Sequence, residues 1–200
     1  MKVQTDDDSL VWTEQRKREL LKTTVMTVTE TECTASDGQK GNYIVMDARD
    51  WVIVIPVINT KFLMVKQWRH GEKALSIEFP GGVIETGEKP EKAAERELKE
   101  ETGYTAKQLI HLGTMNPNPA LMSNHVYIYI AEGLKKTADQ QLDNDEYVHY
   151  LEKEQEEVLD KIGTKEYSHA LMASAAALYM RYTMKQKSPT STPATENNRR

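Results

Sequence analysis

The stretch that decides the reading runs from Gly82 to Tyr104, GVIETGEKPEKAAERELKEETGY. Residues 91–102 within it contain no Gly or Pro and consist mostly of good helix formers, with Pro90 near the first turn and Gly103 just past the end. This pattern predicts a helix over 91–102, entered from a glycine loop. Glu97, Glu100 and Glu101 stand at spacings of three and four. At about 100° per residue, Glu100 and Glu101 fall roughly 60° and 40° to either side of Glu97. Three carboxylates in one arc repel one another unless a cation compensates them. Mg²⁺ or Mn²⁺ suits hard oxygen donors that leave room for water and phosphate oxygens. On composition alone, the six acids and four bases among residues 88–101 also fit a solvated helix face.

The order of the residues decides between these readings. The segment resembles the Nudix box: glycine, five residues, Glu, seven residues, Arg-Glu, an aliphatic, any residue, Glu-Glu, any residue, Gly and an apolar residue. Gly82, Glu88, Arg96, Glu97, Leu98, Glu100, Glu101, Gly103 and Tyr104 match every specified position. At typical residue frequencies such a match at a given register is rarer than about one in a million. The resemblance implies an α/β (α+β) fold, the Nudix α/β/α sandwich with a mixed central sheet, and hydrolysis of a nucleoside diphosphate linked to another moiety. It implies Glu97 and Glu101 as the principal metal ligands, Glu100 as a further ligand or a contact to metal-bound water, and Gly81 as a ligand through its carbonyl oxygen. Arg96 would orient the glutamates, and Glu88 would be structural or outer-shell. The cation would neutralise diphosphate oxygens and activate a water.

Outside the box, QWRHG at 67–71 followed by SIEFPGG at 76–82 looks like the strand pair of the ADP-ribose pyrophosphatase subgroup, and the likeness extends over roughly residues 12–184. Pro119, 15 residues beyond Tyr104, matches a marker of that subgroup. The resemblance implies that Arg69 contacts a substrate phosphate or the terminal ribose, and that Glu78 is a secondary metal or substrate group. It also implies a catalytic base in a late acidic loop, here Leu142 to Val148, LDNDEYV, where Asn144 takes the place of the first glutamate. Glu146 is the candidate base, with Asp143 and Asp145 as alternatives. The loop at 118–125 departs from the subgroup, because Asn118-Pro119-Ala120 and Ser123-Asn124-His125 offer no acid to meet a ribose. In relatives the adenine stacks partly on N-terminal strands of the other subunit, which implies a homodimer; Trp12 and Tyr43 are the candidates here. Trp51 and Trp68 lie in strand runs and read as core or sheet-surface aromatics. The five histidines show no paired metal spacing and read as structural or surface groups, His125 excepted because of its loop.

The flanking sequence supplies the frame. Residues 23–35 are rich in β-branched side chains and precede the turn residues Ser36-Asp37-Gly38 and a short run from Tyr43 to Met46, which predicts an N-terminal antiparallel unit. Trp51 to Ile58 is almost wholly apolar, as for a strand covered on both faces, and a turn at Asn59-Thr60 leads to Phe62–Val65. Further strands are expected at Leu109–Met115 and Val126–Ala131, and a packed helix over 167–184. The divisions expected are 1–48 for the N-terminal β unit (dimerisation and substrate contact), 49–184 for the hydrolase domain and 185–200 for a disordered tail.

The chain has 200 residues, 26 Lys and Arg against 31 Asp and Glu, and a net charge of −5. An acidic balance without a long basic run argues against nucleic acid as a partner. Cys33 is the single cysteine, so no internal disulfide can form, and no secretory or membrane-spanning segment is read. A cytoplasmic location is expected. The activity expected is Mg²⁺-dependent hydrolysis of ADP-ribose or a related nucleoside diphosphate sugar to a nucleoside monophosphate and a sugar phosphate. The alternatives are a GDP-sugar, dinucleotide polyphosphate or nucleoside triphosphate substrate, or a non-catalytic nucleotide-sensing module.

Overall fold

The computed structural model describes residues 6–144 and 146–187. Three N-terminal strands, β1 (Trp12–Lys22), β2 (Met26–Ala35) and β3 (Lys40–Ala48), pair antiparallel in that order. The sequence reading placed this unit within 1–48 but began its first strand at residue 23. It missed β1 because WTEQRKRELLK is exposed along its whole length and carries no apolar alternation to betray a strand.

The second sheet comprises β4 (Trp51–Ile58), β5 (Lys61–Arg69), β6 (Ala74–Glu78), β8 (Gln108–Met115), β9 (Val126–Glu132) and β11 (Val148–Glu154), in the order β11-β5-β4-β9-β8, with β6 paired to β5. The pairing of β4 with β9 is parallel and the others are antiparallel, so the sheet is mixed, as the resemblance implied. A two-stranded ribbon joins β7 (Tyr104–Thr105) to β10 (Lys135–Lys136). The helices are α1 (Pro90–Thr102), α2 (Gln155–Lys161) and α3 (Ala170–Lys187). β6 is the second strand of the pair read at QWRHG and SIEFPGG, β11 and α2 were not anticipated, and the expected helix over 167–184 starts three residues later and runs on to Lys187. Residues 185–187, expected in the tail, therefore belong to α3. The rest of that expected tail, 188–200, lies outside the described residues.

The apolar run in β4 is explained by burial on both faces, because alternate side chains enter different cores. Val52 and Val54 pack with Ala93, Ala94 and Leu98 of α1. Ile53 and Ile55 pack with Phe62, Ile128, Val158 of α2, and Met172 and Tyr179 of α3. Truncating Leu98 to Ala, with no exposed surface to collapse from, would cost about 2–5 kcal/mol. That packing holds the charged face of α1 in register against the sheet.

Helix α1 begins with Pro90, whose missing N–H costs nothing in the first turn. It ends at Gly103, which adopts φ +76° and donates its N–H to the Lys99 carbonyl at 2.7 Å. A β-carbon on Gly103 would meet the Ala138 carbonyl oxygen at 2.1 Å, so both backbone angle and space require glycine.

Candidate active site

Helix α1 carries Arg96, Glu97, Glu100 and Glu101 to one end of β4, where the extended segment 80–82 runs alongside. Pro80 and Gly82 give their carbonyls to the N–H groups of Val54 and Val52, at 2.8 and 2.9 Å. The Gly81 carbonyl is not among those bonded to β4. Gly81 instead donates its N–H to Glu101 Oε2 at 2.9 Å. A β-carbon on Gly82 would lie 2.4 Å from Glu97 Oε1, so glycine there lets the carboxylate lie against the main chain.

Arg96 uses all five of its N–H groups. Nε donates to Glu88 Oε1, and Nη2 to Glu88 Oε2 and to the Val83 carbonyl, each at 3.0 Å. Nη1 donates to Glu97 Oε1 at 2.9 Å and to Glu100 Oε2 at 3.0 Å. The glycine loop, the first acid of the motif and two acids of the helix are thus tied to one rigid fork. The hydrogen bonds from Arg96 hold the Glu88 carboxyl below its ordinary range.

Two carboxyls of the cluster move the other way. Burial pushes Glu97 up to about 7; Arg96 opposes this, and the charges of Glu100 and Glu146 add to it. Burial pushes Glu101, 5% exposed, up to about 8, against the Gly81 N–H and with the added charges of Glu97 and Glu146. Among the described residues no three acidic, imidazole or thiol groups stand ready around one point as metal ligands. Glu97 and Glu100 are held by Arg96, and Glu101 by Gly81. The donor set nevertheless fits a divalent cation: one buried and one partly buried carboxylate whose charge is penalised, a third more exposed one, and only hard oxygens.

Glu146 is exposed in the loop 142–147. Its N–H donates to the Asp143 carbonyl at 3.0 Å, and its Oε2 accepts the Asp143 N–H at 3.2 Å. Its charge adds to the upward shift of both Glu97 and Glu101. Asp143 is exposed in the same loop, and Asp145 lies outside the described residues.

Next to the Gly81–Val83 segment is a cavity of about 320 Å³. Arg69 and Glu78 line it together. Arg69 donates from Nε to Glu78 Oε1 at 2.8 Å and from Nη2 to Glu78 Oε2 at 2.5 Å, across the antiparallel pair β5 and β6. Burial of Glu78, 1% exposed, raises its carboxyl, but the guanidinium outweighs this and holds it below the ordinary value. Arg49, Trp51, His169 and Met172 are among the other residues of its wall, and Val25, Met26 and Ala48 bring the N-terminal unit of the same chain to it. Sequence reasoning left Arg49 unassigned, read His169 as a structural or surface group and read Trp51 only as a core or sheet aromatic. Trp51 packs against the core and also lines the cavity. Neither Arg49 at a strand end nor His169 between helices carried a spacing that could have marked it. Ring burial holds His169 below its usual value, with Glu78 and Arg69 both facing it.

Three expected substrate residues are not brought to this cavity within one chain. Trp12 and Tyr43 pack edge to face, 5.4 Å apart, as partly exposed groups on the N-terminal sheet. Pro119 is exposed in the loop 116–125, which is fastened to β3 by the Met46 N–H to the Leu121 carbonyl at 2.7 Å and by Ser123 Oγ to Asp47 at 2.8 Å. His125 is exposed beside Asp50.

The sequence model of the NUDIX domain matches residues 48–171. An ADP-ribose pyrophosphatase of Bacillus subtilis is 38% identical over 116 residues, covering 58% of this chain and 63% of its own length. A methanol dehydrogenase activator of Bacillus methanolicus is 34% identical over 139 residues, covering 68% of this chain and 75% of its own. The crystal structure of an ADP compounds hydrolase superposes with a TM-score of 0.79 at 23% identity, over 88% of this chain and 96% of that one. The box, the mixed sheet between helices and the family match agree, and the chain belongs to the NUDIX domain family.

Proposed function

We propose that this protein hydrolyses the diphosphate bond of ADP-ribose or a related nucleoside diphosphate sugar, with Mg²⁺ or Mn²⁺, to a nucleoside monophosphate and a sugar phosphate. The observation that carries the reading is the juxtaposition of Glu97 and Glu101 with the Gly81–Gly82 main chain while Arg96 pins the remaining acids. Glu97, Glu101, Glu100 and the Gly81 carbonyl would hold the cation. Once bound, it would supply charge neutralisation on the diphosphate and a more acidic water. The chain's own groups do the rest. Arg96 offsets the repulsion among the glutamates and holds Glu88, Glu97 and Glu100 together. Arg69, oriented by Glu78, presents its guanidinium to a substrate phosphate or ribose. Glu146 takes a proton from the attacking water as the other phosphate leaves.

The Bacillus subtilis relative favours ADP-ribose, and a mouse ADP-sugar pyrophosphatase that is 50% identical over 60 residues favours an ADP-sugar more broadly. The Bacillus methanolicus activator, matched over more of its length, favours a second reading in which a dehydrogenase responds to this activity. Residues 1–48 are read as the unit for dimerisation and substrate contact, and residues 49–184 as the hydrolase domain. In a homodimer Trp12 and Tyr43 would reach the partner's cavity and stack on the base. A reducing cytoplasm suits a chain with one cysteine.

The test is chromatography of the products formed from ADP-ribose, GDP-mannose, a diadenosine polyphosphate and a nucleoside triphosphate, each with Mg²⁺ and with EDTA. AMP and ribose 5-phosphate from ADP-ribose, in Mg²⁺ only, is the expected result. Preferential cleavage of another substrate would move the specificity. No cleavage of any would replace hydrolysis with binding alone.

A further inference from the structure

The last carbonyls of a helix have no partner within it and must be satisfied from outside. At the end of α1 the chain segment 137–141 does this. The Gly103 carbonyl accepts the N–H groups of Thr137 and Ala138, at 2.9 and 3.1 Å, and the Glu100 carbonyl accepts that of Gln141 at 2.9 Å. The Glu101 carbonyl takes a side chain instead, the Gln140 amide, whose Nε2 donates at 2.6 Å. The same Nε2 donates to the Val148 carbonyl at 3.2 Å. A carboxamide has two N–H bonds, and both are accounted for.

Capping the helix needs only one of these bonds. The second reaches across the mouth of the loop 141–147 to the first residue of β11, and so ties both ends of the loop to the metal-binding helix. Glu146 stands two residues before that anchor. We propose that Gln140 is a positioning residue that sets Glu146 over the Glu97–Glu101 pair. The inference rests on the reading of Glu146 as the base. Within the loop the Glu146 carboxylate is held by the Asp143 N–H, a contact it gives up whenever it turns to a water. The Gln140 clamp is independent of that carboxylate and persists through the exchange. A base misplaced by about 1 Å costs on the order of a hundredfold in rate.

The test uses the full chain with Mg²⁺ and ADP-ribose. Gln140→Met keeps the length and loses both donors; Gln140→Asn keeps the amide on a stem one methylene shorter, able to reach one carbonyl, and doubles as a folding control. The expected result is a fall in kcat of about tenfold to a hundredfold for Gln140→Met with KM within about twofold, and a smaller fall for Gln140→Asn. Added to Glu146→Gln, Gln140→Met should change the residual kcat by less than about twofold, because the two act through one group. In metal-free protein, hydrogen exchange of the amides at 141–148 should quicken while the core strands stay protected. An equal loss in both backgrounds, or unchanged exchange, would overturn the assignment. Full activity in Glu146→Gln would remove the base itself, whereas an inactive Glu146→Gln beside a fully active Gln140→Met would keep the base and discard the clamp.

Discussion

Gly81 and Gly82 are neighbours, yet a methyl group does different damage at each. At Gly81 it would meet the Val52 carbonyl oxygen at 2.2 Å, which is backbone of the central strand and cannot yield without shifting β4. At Gly82 it would meet the Glu97 carboxylate, the far end of a flexible side chain that a single Arg96 hydrogen-bond donor holds and that can swing aside. Gly81→Ala should therefore cost about 1–3 kcal/mol in urea unfolding. Gly82→Ala should leave stability within about 0.5 kcal/mol and lose activity, because Glu97 is displaced from the cluster. The carboxyls of the cluster give a second expectation for protein in EDTA. Glu97 and Glu101 titrate at about 7 and about 8 when folded, above the ordinary carboxyl value near 4.5. With raised folded values, their contribution to stability is complete below about pH 4.5 and is lost as the pH climbs through the folded values. Melting temperature should fall from about pH 5 to about pH 8.5 without metal, and Glu101→Gln, which cannot ionise, should flatten that fall. A wild-type curve that rises over this range would show that burial does not dominate the site.

Among the elements, α1 was legible in outline and in chemistry because three constraints agreed: helix-forming composition, Pro90 and Gly103 at its ends, and acids at spacings of three and four. The strand β4 was legible because two-sided burial leaves an unbroken apolar run. β1 was not, since an exposed and charged strand carries no alternation, and neither was the partly buried β11, whose pairing is set by β5, distant in sequence. The same limit hid Arg49 and His169, which join the site only when the fold closes. The Arg69–Glu78 pair was anticipated as two site residues but not as a bidentate clasp between β5 and β6. Removing Arg69 strands a carboxylate that is 1% exposed, although the Arg69 side chain itself is 42% exposed and water can reach its end of the pair. At neutral pH, where Glu78 must either stay charged or take up a proton, Arg69→Met should therefore cost about 2 kcal/mol, below the full penalty for a wholly buried pair. Arg69→Met with Glu78→Met should recover most of that loss while activity stays low in both. Urea denaturation separates the two effects, and equal stability of single and double variants would refute the account.

For the whole molecule, the N-terminal sheet is the part that the proposed dimer would complete. β1 is an edge strand of 11 residues, exposed along its length, with Leu20 and Leu21 among its solvent-facing side chains and Trp12, Tyr43 and Ile44 exposed on the same small sheet. Long exposed edges and apolar patches are features proteins cover, and a second copy of the chain is the occupant that also explains why two candidate stacking aromatics stand away from their own cavity. The proposal predicts a dimer by sedimentation and a monomer for Leu21→Glu. Complementation is the sharper measurement. Glu101→Gln has an intact sheet and a dead site; a Trp12→Ala/Tyr43→Ala variant has an intact site and no aromatics to lend. If each sheet serves its partner's cavity, an equal mixture allowed to exchange subunits forms half mixed dimers, each with one complete site. About a quarter of wild-type activity then returns from two parents that have little of their own. If each sheet serves its own chain, mixing restores nothing, and the aromatics act within one subunit.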